Sequence, residues 1–93
     1  MHPRPTILIT GATDGIGYAL AQLYQQQGAH VLLLGRRHLA KLDAAFFTAA
    51  NYCQADVAQP EAAKQILFWL HEAKVERLDL LIHNAGLGYV GPL

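Results

Sequence analysis

Three glycines and two arginines are spaced so that they could hold phosphate groups. The run Thr10-Gly11-Ala12-Thr13-Asp14-Gly15-Ile16-Gly17 lies between an apolar segment and a helix-like one. In such a run Gly11 permits a tight turn. Gly15 lets the backbone approach a pyrophosphate, and Gly17 lets a helix pack closely on a strand. The exposed amides and the helix dipole would then face an anion. A P-loop is excluded, because no Gly-Lys-Ser/Thr follows. Further on, Gly35-Arg36-Arg37 closes a second apolar run, and the next acid is Asp43. In dinucleotide sites an acid at this point binds the 2′-hydroxyl of NAD, whereas arginine suits the 2′-phosphate of NADP. The pattern therefore implies NADP(H) as the preferred cofactor. NAD(H) remains the alternative, since the acid Asp14 precedes Gly15. The missing acid also speaks against a methyltransferase. The competing readings are a glycine-rich turn without a ligand and arginines that merely cap the next helix in solvent.

The elements that must position these residues follow from hydrophobic pattern. Thr6–Thr10 and His30–Leu34 are apolar without alternation, as expected of strands buried on both faces. Between them Ile16, Ala19, Leu20, Leu23 and Tyr24 recur at helical spacing, with Gly28 as a C-terminal cap. A second helix is expected from about His38 to Phe46, with Leu39, Leu42, Ala45 and Phe46 on one face. Tyr52–Ala55 reads as a third strand. Pro60 suits the first position of a third helix running to about Lys74, with Ala62, Ala63, Ile66, Leu67, Leu70 and Ala73 as its stripe. Leu78–His83 reads as a fourth strand. Strands alternating with helices imply a parallel, doubly wound α/β sheet. Right-handed crossovers give the order 3-2-1-4, with the ligand crevice between strands one and four.

Composition narrows the function. Seven Lys+Arg balance seven Asp+Glu in 93 residues, so a nucleic-acid backbone or a polybasic membrane contact is not expected. Cys53 is the only cysteine, which excludes an intrachain disulfide and fits a reducing compartment. The five histidines have no metal-ligand spacing among themselves or with Cys53, so no metal is expected. No apolar run is long enough to span a membrane. A cytoplasmic location is the expectation. The apolar share of 53% on only 15% charge suggests more core than one small domain can cover.

With these residues in view, the sequence resembles the short-chain dehydrogenase/reductase family. The glycine run looks like the family's Thr-Gly-x-x-x-Gly-x-Gly. Asp56-Val57 resembles its adenine contact, the carboxylate meeting the exocyclic amine and the Val57 backbone beside it. Leu78-Asp79-Leu80-Leu81-Ile82-His83-Asn84-Ala85-Gly86 resembles its strand-four signature. The resemblance places Asn84, Ala85 and Gly86 against the cofactor's ribose, with Asn84 helping to fix the sheet. His83 stands where many members carry another Asn. Simpler roles are a helix cap for Asp56, a turn former for Asn84 and packing for His83.

The resemblance also implies hydride transfer on a carbonyl/alcohol pair, catalysed through a Tyr-x-x-x-Lys motif, a preceding Ser and an Asn on the fourth helix. The residues four beyond Tyr18, Tyr24, Tyr52 and Tyr89 are Gln22, Gly28, Asp56 and Leu93. No catalytic residue is therefore assigned within residues 1–93. The expected description is the N-terminal, NAD(P)-binding Rossmann half of a longer oxidoreductase that takes a small-molecule substrate and forms a homo-oligomer. The 93 residues alone are expected to be inactive. The alternatives are a non-catalytic NADP(H)-binding or sensing module and an inactive fragment.

Overall fold

The computed structural model describes residues 4–84. Ala85, Gly86 and the Gly91-Pro92-Leu93 tail lie outside the described residues. In chain order the elements are β1 (Thr6–Thr10), α1 (Gly15–Gln26), β2 (His30–Gly35), a 3₁₀ turn (Leu39–Lys41), β3 (Tyr52–Gln54), α2 (Ala62–Glu72) and β4 (Leu80–His83). The four strands form one parallel sheet in the order β3-β2-β1-β4. The expected winding is therefore found.

The two central strands are buried on both faces, as their unbroken apolar runs require. Ile9, Leu32 and Leu33 are fully enclosed. On one face Ile7, Ile9, Val31, Leu33 and Tyr52 pack against α1 and the 39–47 segment. On the other, Leu8, Leu32, Leu34, Cys53 and Ala55 meet Ile66, Trp69 and Leu70 of α2. α1 ends where Gly28 takes a positive φ of 89°. There the Gly28 amide donates to the Gln25 carbonyl and the Ala29 amide to that of Tyr24, satisfying carbonyls left over by the helix.

Three expectations are corrected. The helix expected over residues 38–46 is absent, leaving two α-helices among the described residues where three were anticipated. Local bonds outcompete it: His38 Nδ1 accepts from the Ala40 amide and Asp43 Oδ1 from the Ala45 amide, while Leu42 is extended. The segment still covers the sheet. Phe46 and Phe47 meet edge-on, and Phe47 meets Tyr52 in the same way. Second, α1 presents Gly17 and Ala21 to the sheet, flanked by Tyr18, Leu20 and Tyr24, and leaves Ile16 and Leu23 exposed. Small residues face inward because they allow closer approach. Third, α2 turns Leu67 outward, although it belongs to the expected stripe, and packs Trp69 against the sheet.

β4 is the least covered strand. Leu80 and Leu81, on opposite faces, are 40% and 56% exposed. Its entry is fastened by Asp79. The Asp79 amide donates to the Thr6 carbonyl, and the carboxylate accepts from the Thr6 amide at 2.8 Å and from Arg77 Nη2 at 2.8 Å. Among the described residues no helix is long and apolar enough to cross a membrane.

The Thr6 amide, followed by Arg77, holds the Asp79 carboxyl below its ordinary pKa. A depressed carboxylate stabilises the fold above its unfolded pKa, and that contribution is lost as pH falls through the folded value. Urea midpoints of the wild-type chain should therefore drop more between about pH 5 and about pH 2.5 than those of Asp79→Asn. Equal acid sensitivity would show that Asp79 does not fasten β4.

Candidate dinucleotide-binding site

The carboxyl ends of β1, β2 and β4 converge on the glycine run. Thr10 is paired with Leu34 on one side and His83 on the other. The chain turns sharply at Gly11, whose φ is 65°, and the Ala12 amide donates back to the Leu34 carbonyl at 3.1 Å. α1 starts immediately after Asp14. This places the positive end of the helix at the crevice mouth.

Gly15 and Gly17 serve different ends. Gly15 has a φ of 59°, and a Cβ added there would meet nothing within 4 Å. It borders open space. A Cβ on Gly17 would overlap the Gly11 carbonyl and lie 2.8 Å from Asn84 Nδ2. Gly17 is thus the point of closest approach of helix to strand. Asn84 joins the same contact. Its Nδ2 donates to the Gly11 carbonyl at 3.1 Å, and its backbone amide donates to Thr10 Oγ1 at 2.9 Å. Thr10 Oγ1 also lies 3.1 Å from His83 Nδ1. His83 is therefore engaged with the end of β1.

The arginines are held by their backbone and exposed at their tips. The Gln54 side chain donates to the Arg36 carbonyl at 3.2 Å, and the buried Tyr52 hydroxyl donates to that of Arg37 at 2.6 Å. Burial, with a smaller push from Cys53 and opposition from Arg37, raises the Tyr52 pKa, so its hydroxyl keeps its proton and donates. Burial raises the Cys53 thiol as well, which makes it packing rather than a nucleophile. Thr13 leans over the end of β2: a Cβ on Gly35 would come 2.6 Å from its methyl group and 2.8 Å from the Tyr52 hydroxyl. Asp14 and Arg37 meet at 3.4 Å, both exposed.

Of the residues singled out from sequence, Gly11, Gly17 and Asn84 form one contact, Asp14 and Arg37 another. Ile16 stands 72% exposed at the first turn of α1. Arg36 is exposed beside Gly35. Asp56 is half-buried just beyond β3, where the Ala55 amide donates to the Gly35 carbonyl. Its Oδ1 accepts from the Ala58 amide, forming a turn. It does not cap α2, whose N-cap is Glu61. Val57 packs against the α2-side cluster. Gly35 and Tyr52 had no sequence signal beyond a strand stop and a strand aromatic, yet they support the arginine loop.

The arrangement fits a dinucleotide. Open space lies over a positive-φ glycine at a helix N-terminus, and exposed guanidiniums stand at the end of the neighbouring strand. A family model described as short chain dehydrogenase matches residues 5–93. Serine 3-dehydrogenase of Rhizobium radiobacter is 40% identical over 84 residues, covering 88% of this chain and 33% of that enzyme. Oxidoreductase asL5 of Sarocladium schorii is 42% identical over 92 residues, covering 95% and 36%. A probable 2,4-dienoyl-CoA reductase of Bacillus subtilis (strain 168) is 33% identical over 94 residues, covering 96% and 37%. The chain thus spans about a third of the length of these relatives. A crystal structure of a short-chain dehydrogenase/reductase from Burkholderia vietnamiensis superposes with a TM-score of 0.67 at 28% identity, over 98% of this chain and 46% of that one.

The two glycines should respond differently to alanine. Gly17→Ala is expected to cost at least ~2 kcal/mol of stability, because the Cβ has no room against backbone. Gly15→Ala should cost about 1–2 kcal/mol from its positive φ alone. Urea denaturation separates the two variants, and a Gly17→Ala chain as stable as wild type would remove the close-packing role.

Proposed function

The chain belongs to the short-chain dehydrogenase family, and from that premise we propose that it is the NADP(H)-binding portion of an oxidoreductase acting on a carbonyl/alcohol pair. The observation that carries the cofactor preference is the end of β2. Arg36 and Arg37 are exposed there, next to the glycine run, and no acid follows before Asp43. Charge-assisted bonds from guanidinium to a 2′-phosphate favour NADP(H), whereas the ribose hydroxyls of NAD(H) would find no carboxylate at that point.

In this reading the N-terminus of α1 and the open face of Gly15 receive the pyrophosphate. Ile16 supplies an apolar surface at the crevice mouth. Asp56 and the Val57 backbone lie toward the adenine, and Asn84 toward the cofactor's ribose, a contact the family resemblance also assigns to Ala85 and Gly86. When bound, the nicotinamide supplies hydride transfer to or from the substrate carbon. Residues 1–93 bind and orient. No tyrosine among them is followed four residues later by lysine, so none is given a proton-transfer role. Relatives named for serine and for a dienoyl-CoA align over this same region. That supports a cofactor role for it, with the substrate chosen elsewhere in the parent oxidoreductase.

Calorimetric titration of the chain with NADP⁺ and NAD⁺ tests the proposal. One charge-assisted bond of ~1.5–3 kcal/mol corresponds to about ten- to a hundredfold in affinity. Arg36→Asp should weaken NADP⁺ by that factor and bring NAD⁺ to parity or better. An unchanged NADP⁺/NAD⁺ ratio would remove Arg36 from the argument.

A further inference from the structure

β2 ends at Gly35 and β3 at Gln54, yet the bonding between the two strands continues past both ends. Three consecutive carbonyls, those of Gly35, Arg36 and Arg37, accept from β3 or from the residue after it. The first bond is ordinary parallel pairing, from the Ala55 amide at 2.8 Å. The next two come from side chains, Gln54 Nε2 at 3.2 Å and the Tyr52 hydroxyl at 2.6 Å. Tyr52 and Gln54 are two apart on β3 and so share a face. Side chains of one strand thus carry the ladder beyond the end of its neighbour, across the arginine corner.

Both donors are themselves held. Tyr52 is 4% exposed and its ring meets Phe47 edge-on. Gln54 is anchored through its own carbonyl, which accepts from Gln65 Nε2 of α2 at 2.6 Å. Neither anchor depends on the arginine side chains. A corner bonded at both carbonyls has its backbone fixed, so the side chains of Arg36 and Arg37 leave from defined points although both residues are exposed. Less ordering is then left for a phosphate to impose when it takes a guanidinium. The bonded carbonyls also keep their negative ends on the donors of β3 instead of turning toward phosphate oxygens. These effects act on a 2′-phosphate at the corner, and leave a pyrophosphate at the N-terminus of α1 nearly untouched.

We infer that Tyr52 and Gln54 are positioning residues that act through the backbone of Arg36 and Arg37 to strengthen binding of a 2′-phosphorylated dinucleotide. The inference rests on the cofactor reading above. It adds that the preference is set by β3 as well as by the arginines, through two side chains that carry no charge.

The test is calorimetric titration with NADP⁺ and with NAD⁺ of the full chain, of Tyr52→Phe and of Gln54→Leu. Both substitutions are repeated in the Arg36→Ala/Arg37→Ala background, and circular dichroism checks that each variant is folded. Tyr52→Phe keeps the ring and removes only the hydroxyl. Loss of one such bond should weaken NADP⁺ by about two- to tenfold and change NAD⁺ by less than about twofold. Without the arginines, neither substitution should weaken NADP⁺ further. Folded Tyr52→Phe and Gln54→Leu chains that keep the wild-type NADP⁺/NAD⁺ ratio would overturn the inference, since a merely structural role weakens both dinucleotides alike. An equal loss of NADP⁺ affinity with and without the arginines would overturn it too. Both results leave the cofactor reading intact. That reading falls, and the inference with it, if Arg36→Ala/Arg37→Ala binds NADP⁺ as the wild type does.

Discussion

Everything at the crevice depends on how closely α1 approaches the end of β1. At Gly17 the helix backbone lies against the Gly11 carbonyl with no space for a methyl group. The same carbonyl accepts from Asn84 at the exit of β4. The end of β1, the start of α1 and, 73 residues further on, the exit of β4 are thereby held at one atom. The consequence is directional. With α1 drawn in at this point, its N-terminus opens onto the place where the winding of the sheet reverses, between β1 and β4. A larger residue at position 17 would push the helix outward and carry its first-turn amides with it.

The sheet behind this contact is covered unequally. β1 and β2 are sealed on both faces by α1, the 39–47 segment and α2. β4 contributes Ile82 to the α1-side core but leaves Leu80 and Leu81 largely in solvent, and α2 leaves Leu67 and Phe68 outward. These side chains account for much of the apolar excess apparent in the composition. They also separate two kinds of stability. The central strands rest on packing, whereas β4, beyond its pairing with β1, is fastened by polar contacts at its two ends: Asp79 with Thr6 at its start and Asn84 with Thr10 and Gly11 at its close.

The strand order and the glycine turn were legible because each rests on a local rule. Unbroken apolar runs mark buried strands, and glycine spacing marks a turn that must approach both helix and ligand. Two features were hidden for a common physical reason. Hydrophobic period assigned Ile16 and Leu23 to the buried face of α1, but the close approach at Gly17 selects small residues and rotates the helix. Period also suggested a helix over 38–46, but His38 and Asp43 bond to nearby amides and the phenylalanines find their partners without one. The support beneath the arginines was invisible for another reason. Tyr52 reaches the Arg37 carbonyl only because β3 pairs with β2 in a register that sets Tyr52 beside Leu33.

Register also explains how a chain of zero formal charge can offer the anion site proposed for it. Exposed charges lose most of their influence beyond a Debye length of about 8 Å at physiological salt. Net charge therefore matters less than which few groups share that radius. Pairing of β2 with β1 brings the Gly35-Arg36-Arg37 corner beside the turn that leaves β1, so the helix N-terminus and a guanidinium fall within one screened volume. Asp14 falls within it too, at 3.4 Å from Arg37. Most of the chain's remaining acids belong to other elements, among them Glu61 and Glu72 around α2 and Asp79 at the entry of β4. Around the turn that leaves β1 the local balance is accordingly set by Arg37, the helix dipole and Asp14, and exchanging that carboxylate alters the field there more than removing a distant one.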